Sequence, residues 1–405
     1  MELESYLIYL KVDEAKASSP SSLPSEARYM KILFTGGGTG GHIFPIIAIS
    51  REIRKICPEK KIEFFYIGPK DEFGEIFLSQ EGIKVKKILA GKIRRYFDLK
   101  SFFKNLIDLL FKIPIGISQA FFYIFFLAPD LIFSKGGFGS IPAVLSGKLL
   151  GVPIFLHESD AIPGMANRFL AGFSLEIFVS FPKTPYFPEE KMILVGNPIR
   201  REILEGEKEE ARTFFKLRGG KPVILILGGS QGAQRINDKI LEILPEILKN
   251  FEIIHQCGEK NFSQVKEEAK VTLNKDLEKS YHLFPFLKEE ELKKAYAVCD
   301  LILARAGSGT IFEIAALGKP AILIPLPGAA QNHQLKNAYT YAENGAAIIL
   351  EEENFTPHFF LEKLKYLFSY PTKLEKMVEA AREFSRSEAA RIIAGYIVDY
   401  LELTK

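Results

Sequence analysis

The sequence predicts an α/β protein made of two similar doubly wound, parallel-sheet domains in tandem. Three observations carry that prediction. From residue 30 onward, short apolar runs alternate with glycine-rich turns and helix-patterned stretches, the rhythm of parallel strands covered by helices on both faces. A long-period internal repeat matches Asp130-Leu131-Ile132-Phe133-Ser134-Lys135-Gly136-Gly137-Phe138-Gly139-Ser140 to Asp300-Leu301-Ile302-Leu303-Ala304-Arg305-Ala306-Gly307-Ser308-Gly309-Thr310. Each copy leads into a small-residue helix, a Gly-x-Pro turn (Gly151-Val152-Pro153 and Gly318-Lys319-Pro320) and an apolar strand. Finally, a glycine-rich opening follows the first strand of each half: Thr35-Gly36-Gly37-Gly38 and Gly228-Gly229-Ser230-Gln231-Gly232. The offset between copies is far too long for a solenoid.

Bulk properties agree. At about 150 residues per domain, 405 residues allow two domains or three. With 47% apolar and 25% charged residues the chain reads as globular and soluble with sizeable cores. A net charge of +3 gives no argument for nucleic acid as a partner. Cys57, Cys257 and Cys299 are odd in number and lack CxxC spacing, so neither a zinc site nor a disulfide framework is indicated. That usage fits a reducing cytoplasm.

The elements follow in order. Residues 1–29 carry Glu2, Glu4, Asp13, Glu14 and a polar stretch, unlike a secretory signal. They read as an extension outside the fold or an upstream start, the alternative being a short docked helix around residues 6–12. Apolar runs at 32–35, 62–67, 131–134, 154–156 and 177–180 supply the first sheet, and those at 223–227, 253–256, 301–304 and 321–324 the second. The join lies near Gly196-Asn197-Pro198. The domains expected are therefore 30–198 and 199–375, with a C-terminal helical segment 376–405 that packs across the surface or returns to the first domain. Ligands of such folds bind where the carboxyl ends of the strands place their loops.

Five motifs lie on those loops. Gly36-Gly37-Gly38-Thr39-Gly40-Gly41-His42-Ile43-Phe44-Pro45 follows a strand and opens a helix, so its backbone can approach an anion at the positive end of the helix dipole. It is not a Walker A loop, because no Lys-Ser/Thr follows the last glycine. His42 at its top reads either as a general base or as a hydrogen-bond donor to phosphate or sugar. His157-Glu158-Ser159-Asp160, followed by Pro163-Gly164-Met165-Ala166-Asn167, is poor core material at a strand end. Its His and Glu read as site residues or as a mutual brace, and Asp160 is the acid aimed into the cleft. Gly228 to Gln234, including Ser230, suits a diphosphate or nucleotide, and Arg200 is a charge partner for phosphate oxygens or a surface arginine. Arg305-Ala306-Gly307-Ser308-Gly309-Thr310-Ile311-Phe312-Glu313 opens another helix with small residues. Glu313 there can hold both ribose hydroxyls or simply complement the helix dipole. Pro325 to Gln334, with Asn337, suits sugar hydroxyls or is a plain polar loop. No metal motif or His/Cys cluster stands out, so charge on a leaving diphosphate falls to helix dipoles and arginine.

Residues 92–112 interleave Lys92, Arg94, Arg95, Lys100, Lys104 and Lys112 with Tyr96, Phe97, Phe102 and Phe103, and read as a patch for an anionic membrane surface. The uncharged run 113–128 is shorter than the roughly 20 residues a spanning helix needs, and Pro114 and Gly116 interrupt its start. A buried helix is expected for 117–128.

Taken together, these motifs resemble the MurG family of bacterial glycosyltransferases from Met30 to the end of the chain. The carriers are Gly-Gly-Thr-Gly-Gly-His-x-x-Pro at 37–45, His157-Glu158 with Asn167, Gly-Asn-Pro-x-Arg at 196–200, Gly-Gly-Ser-Gln-Gly-Ala at 228–233 and Arg-x-Gly-x-x-Thr-x-x-Glu at 305–313. The resemblance implies a GT-B fold and an inverting, metal-independent reaction without cofactor. In it, the muramyl 4-hydroxyl of undecaprenyl-linked lipid I attacks the anomeric carbon of UDP-GlcNAc and gives lipid II. It implies acceptor-side roles for Thr39, Gly40, Gly41 and His42, and donor-side roles for Arg200, Ser230, Leu287, Ser308, Gly309, Thr310, Glu313 and Gln334. Leu287 would lie against uracil, Glu313 would hold ribose and Gln334 would bind the sugar. It also implies peripheral attachment to the cytoplasmic face of the cell membrane. Two departures are Asp160, where the family usually has Asn, and His333, where a second Gln is common. The base stays open between His42 and Asp160. The rival enzyme readings are a UDP-sugar epimerase and a GT-B transferase with a different lipid acceptor; a nucleotide-sugar sensor is the non-enzymatic one.

Overall fold

The computed structural model describes residues 29–37, 39–59, 61–91, 103, 105–182, 184–229 and 232–404. The expected extension therefore lies outside the described residues apart from Tyr29, as do Ser230 and positions 92–102 and 104 of the basic aromatic segment.

Two all-parallel sheets form the frame. The first has the order β3-β2-β1-β4-β5-β6-β7, from β1 (Met30–Thr35), β2 (Ile62–Gly68), β3 (Lys84–Lys87), β4 (Leu131–Ser134), β5 (Ile154–Glu158), β6 (Glu176–Val179) and β7 (Met192–Leu194). The second has the order β10-β9-β8-β11-β12-β13, from β8 (Val223–Leu227), β9 (Glu252–Gln256), β10 (Tyr281–Phe284), β11 (Leu301–Ala304), β12 (Ala321–Leu323) and β13 (Ala347–Ile349). Both orders reverse direction once, between β1 and β4 and between β8 and β11, and loops diverge at such a switch point to leave a ligand crevice.

The strands are continuous apolar runs because both faces are covered. Along β8, Val223, Leu225 and Leu227 enter one core while Ile224 and Ile226 enter the other. Ile32 and Phe34 of β1 likewise face away from Leu33. Each fully buried aliphatic side chain contributes roughly 1.5–3 kcal/mol. The helix Pro371–Phe384 buries Ala380 and Ala381 in the second domain. After a bend at 385–388 the helix Ala389–Leu403 buries Ile393, Ala394, Ile397, Val398 and Leu401 in the core of the first sheet. The chain crosses from the second domain to the first in that bend.

The expected buried helix at 117–128 is corrected. The helix Asn105–Leu127 is continuous, and long and apolar enough by length and composition to cross a membrane. A π-helical turn, Asp108–Lys112, precedes Pro114, the second residue of Ile113–Leu127; the proline removes one main-chain donor inside the continuous helix, and the altered hydrogen-bond spacing of the π turn falls just before it. Only Gly116, Ala120 and Ile124 of that helix are buried. A Cβ on Gly116 would lie 1.9 Å from the Leu89 carbonyl oxygen, so glycine permits the docking. Ser146 Oγ donates to Ile117 O at 3.0 Å and Gln119 Oε1 accepts from Leu89 N at 2.8 Å. The opposite face exposes Phe122, Phe125 and Phe126, the last at 78%.

His255, on β9, shows how a buried imidazole links the fold to pH. Its Nδ1 pairs with Tyr281 Oη at 2.8 Å and its Nε2 with Asn237 Oδ1 at 3.1 Å. Burial lowers its pKa to about 3. The unfolded chain takes up a proton that the folded chain refuses, so stability is full above about pH 6.5 and is lost as pH falls towards 3. At pH 5 this residue alone accounts for roughly 2 kcal/mol. We expect His255→Gln to shrink the loss of unfolding free energy between pH 7 and pH 5 by about that amount in urea melts. An undiminished loss would refute it.

Candidate active site

The loop after β1 meets the loop after β4 at the first switch point. Tyr66 Oη, from β2, donates to Gly36 O at 3.1 Å and to Gly37 O at 3.3 Å, holding the glycine loop. Among the described residues no side chain caps the helix Gly40–Ile56, whose first turn carries a buried Gly40 and an exposed Gly41. Thr39 Oγ1 lies 2.9 Å from His42 Nδ1. The imidazole rests against the Gly137 turn: a Cβ there would stand 3.0 Å from His42 Nε2, and its φ of +82° is a glycine conformation. Desolvation, then the charge of Lys135, lowers the His42 pKa to about 4. The imidazole is neutral at neutral pH.

Behind this loop lies a buried polar cluster. Lys135 Nζ, at the end of β4, lies 2.8 Å from His157 Nδ1 and 3.3 Å from Asn197 Oδ1, and also bonds Ser159 Oγ. His157 Nε2 pairs with Gly196 O at 3.0 Å, so Nδ1 accepts from the lysine and Nε2 donates. Glu158 accepts from Asp160 N (2.9 Å), Gly164 N (3.2 Å) and Asn167 Nδ2 (2.8 Å). His157 and Glu158 are thus braced separately, not against each other. Burial and the neighbouring Asp160 push the Glu158 carboxyl up. Burial pulls the Lys135 amine down against the pull of Glu158 and Asp160. Asn167 braces this cluster: it is 4% exposed, its Nδ2 donates to Glu158 and its Oδ1 accepts from Gly137 N.

Asp160 faces the second domain. Its Oδ1 accepts from Asn337 Nδ2 at 2.8 Å, while Asn337 Oδ1 accepts from Ala161 N at 2.8 Å. Ser308 Oγ donates to Ser159 O at 2.5 Å. The Ser308 hydroxyl is thereby spent on domain contact, whereas Gly309 and Thr310 stay partly exposed on the uncapped first turn of Ser308–Leu317.

Arg200 occupies the junction. Its guanidinium lies 4.1 Å from the centre of the Phe44 ring, two residues past His42. Its NH1 is 3.0 Å from Glu289 Oε2 and its NH2 is 3.6 Å from Glu313 Oε1. Tyr296 Oη donates to Glu313 Oε2 at 2.8 Å. Arg200 is 4% exposed, yet its Nε has no hydrogen-bond partner among the described residues. An orphaned, buried donor of this kind fits a phosphate oxygen supplied from outside. Glu289 also reaches Arg51 at 2.7 Å, and Arg51 in turn pairs with Glu81 and Glu202. Gln334 Oε1 accepts from Leu326 N at 3.0 Å, steadying the polar loop 325–334. Leu287 is 1% exposed in the core and its N–H donates to Gln256 Oε1 at 2.9 Å.

The structure therefore unites His42, Thr39 and the glycine turn on one side, and Arg200 with Glu313 on the other, with Asp160 reaching across. Sequence reasoning missed Lys135, Glu289 and Arg51 and did not place Asn337 against Asp160. For Lys135 a signal existed, since it aligns with Arg305 in the repeat. Among the described residues, no group of three or more His, Cys, Asp or Glu is arranged to hold a metal ion.

Known proteins are similar to this chain in sequence and fold. Residues 32–179 match the glycosyltransferase family 28 N-terminal domain and residues 223–393 its C-terminal domain. A Clostridium tetani protein, named UDP-N-acetylglucosamine--N-acetylmuramyl-(pentapeptide) pyrophosphoryl-undecaprenol N-acetylglucosamine transferase, is 38% identical over 348 residues, covering 85% of this chain and 92% of its own. A Bacillus cereus protein of the same name, numbered 2, is 38% identical over 369 residues, covering 91% and 99%. The crystal structure of Acinetobacter baumannii MurG superposes with a TM-score of 0.67 at 26% identity, covering 91% of this chain and 99% of that one. A Neisseria meningitidis UDP-GlcNAc 2-epimerase bound to UDP-GlcNAc shares the fold at 17% identity and a TM-score of 0.63, covering 91% and 100%. The chain has the GT-B fold of glycosyltransferase family 28 and belongs, within it, to the MurG family.

Proposed function

We propose that this enzyme transfers N-acetylglucosamine from UDP-GlcNAc to the muramyl 4-hydroxyl of undecaprenyl-linked lipid I with inversion, forming lipid II. The observation that carries the donor side is Arg200, buried beside Glu313 with an unpartnered Nε. Arg200 and the open first turn at Gly309 and Thr310 hold the diphosphate, and Glu313 takes the ribose hydroxyls. Gln334 and its loop take the sugar, and Ser230 belongs to the same pocket by its place in the Gly228–Gln234 motif. Thr39, Gly40 and Gly41 receive the acceptor diphosphate. The acceptor oxygen bonds to the anomeric carbon as the bond from that carbon to the phosphate oxygen breaks. The hydroxyl proton passes to a base on the acceptor domain, and the departing charge meets Arg200 and the helix dipoles.

Transfer of labelled GlcNAc to a short-chain lipid I analogue, with chelator present, tests the reading. A labelled disaccharide is expected. Conversion of UDP-GlcNAc to its epimer without acceptor, or binding without product, would overturn it.

The same reading includes a membrane-docking face. Phe103, Leu109, Leu110, Phe111, Phe122, Phe125 and Phe126 are all exposed, so the docking face runs past 112 along the helix to 126. It lies on the inner face of the cytoplasmic membrane, with Lys112 and the basic residues of 92–104 on anionic headgroups. The double replacement Phe125→Asp, Phe126→Asp should weaken co-sedimentation with anionic vesicles at least tenfold, since each change removes an apolar anchor and adds repulsion. Turnover of a water-soluble acceptor should be unchanged. Undiminished vesicle binding would exclude this face.

A further inference from the structure

We propose that Lys135 is a positioning residue for the transfer: its buried ammonium ties the acid-bearing loop 158–161 to the interdomain linker and sets the charge around His42. The proposal rests on the transferase reading above. Lys135 is 2% exposed. Its three N–H bonds meet three acceptors, His157 Nδ1, Ser159 Oγ and Asn197 Oδ1. None is left for a substrate, so Lys135 acts through the groups it holds. Ser159 and Asp160 are the residues through which the acceptor domain touches Ser308 and Asn337 of the donor domain. Asn197 belongs to the linker between the domains. Lys135 also lies directly beneath the glycine loop. A Cβ built on Gly36 would stand 3.4 Å from Lys135 Cβ and 3.3 Å from His42 Cβ.

The internal repeat supplies an independent argument. Arg305 stands at the equivalent position in the second domain. It donates to the carbonyls of Ile324 and Pro325, each at 3.3 Å, and pairs with Glu352. Those carbonyls begin the loop that follows β12, the strand beside β11. Lys135 likewise ties the loop that follows β5, the strand beside β4. In both halves, a cation at the end of the switch-point strand secures the loop after the neighbouring strand. On the donor side that loop leads to Gln334, in the first turn of the helix His333–Ala342. On the acceptor side it carries Asp160.

The titratable groups around the ammonium are His157 and Glu158 from β5, Asp160 from the loop and His42 from the helix Gly40–Ile56. The linker and the donor domain contribute Asn197, Ser308 and Asn337, which do not titrate. A cation there opposes protonation of His42, and burial acts in the same direction. Removing it makes any neighbouring base easier to protonate, so the acid limb of kcat/KM, which reports the free enzyme, moves to higher pH.

The test compares Lys135→Met with the unmodified enzyme in the lipid I analogue assay. A roughly 100-fold fall in kcat is expected, the order of effect that follows from displacing a catalytic loop by about an ångström. The donor KM should stay within about threefold, and the acid limb of kcat/KM should rise by about one pH unit. Lys135→Arg, which keeps the charge, should leave the limb in place. Activity of Lys135→Met within threefold of the unmodified enzyme overturns the proposal. So does a loss of activity with an unmoved limb, which would make Lys135 merely structural. Absence of product from the unmodified enzyme would instead overturn the transferase reading. Should Lys135→Met not fold, Lys135→Gln is judged by the same criteria. A proton NMR titration of the unmodified enzyme decides as well, since His42 titrating near the ordinary value of about 6.5 contradicts the proposal.

Discussion

Replacing Arg200 with alanine is expected to lower kcat/KM for UDP-GlcNAc by about 10³-fold, or roughly 4 kcal/mol of transition-state stabilisation. Arg200 is 4% exposed, its Nε has no hydrogen-bond partner among the described residues, and its guanidinium stands between Phe44 of the acceptor domain and Glu313 of the donor domain. Charge on the leaving diphosphate grows as the sugar departs. A preorganised cation in a partly desolvated cleft stabilises that developing charge far more than the ground state. Removing Arg200 also leaves two acids with one partner fewer. Glu289 keeps Arg51 and Glu313 keeps Tyr296, so the stability loss should fall at the low end for a broken buried pair, about 3 kcal/mol. Arg200→Lys should restore little, because the planar fork and the stacking on Phe44 are lost together. UDP affinity by calorimetry and steady-state transfer check both parts. An Arg200→Ala enzyme within tenfold of the unmodified one would exclude Arg200 from the diphosphate site.

His42→Ala is expected to lower kcat by about 10²- to 10⁴-fold while the donor KM changes little, the behaviour of a lost general base. The imidazole is neutral at working pH because burial and Lys135 disfavour its charged form. Its folded pKa of about 4 means that the base is lost only as pH falls through that value, so the acid limb of kcat/KM should lie near pH 4. The acceptor diphosphate, seated at Gly40 and Gly41, raises that pKa by its charge and brings the base closer to the working pH. Asp160 is engaged differently, by Asn337 across the domain boundary. Asp160→Asn can still accept that bond and should retain activity within about tenfold, whereas Asp160→Ala breaks the contact and should lose more. The reverse pattern, with Asp160→Asn as damaging as Asp160→Ala and His42→Ala nearly unaffected, would transfer the base to Asp160.

How much of this was legible follows from where each residue sits. Strands at the sheet centres are covered on both faces, so they are apolar runs such as Val223-Ile224-Leu225-Ile226-Leu227. The edge strands β3, β7, β10 and β13 went unread. An edge strand is short and partly solvated, as Lys84-Val85-Lys86-Lys87 illustrates, and its composition does not separate it from a loop. The buried helix expected over 117–128 was misread for a related reason. Hydrophobic composition states that a surface avoids water, and is equally satisfied by a protein core and by a lipid face.

By itself, the sequence determined the two-sheet architecture, the switch-point loops and the family. Each is encoded locally, in apolar runs, in glycines at strand ends and in motifs of a few residues. The tertiary structure alone decided the states of the charged groups. Lys135 is a commonplace lysine in sequence and a buried cation in the fold. Asn167, one polar residue of a strand-end motif in sequence, is a buried brace of Glu158 in the fold. Asp160 meets Asn337 across 177 residues of chain. Protonation and hydrogen bonding depend on desolvation and on neighbours within a few ångströms, and those neighbours come from segments that only folding brings together.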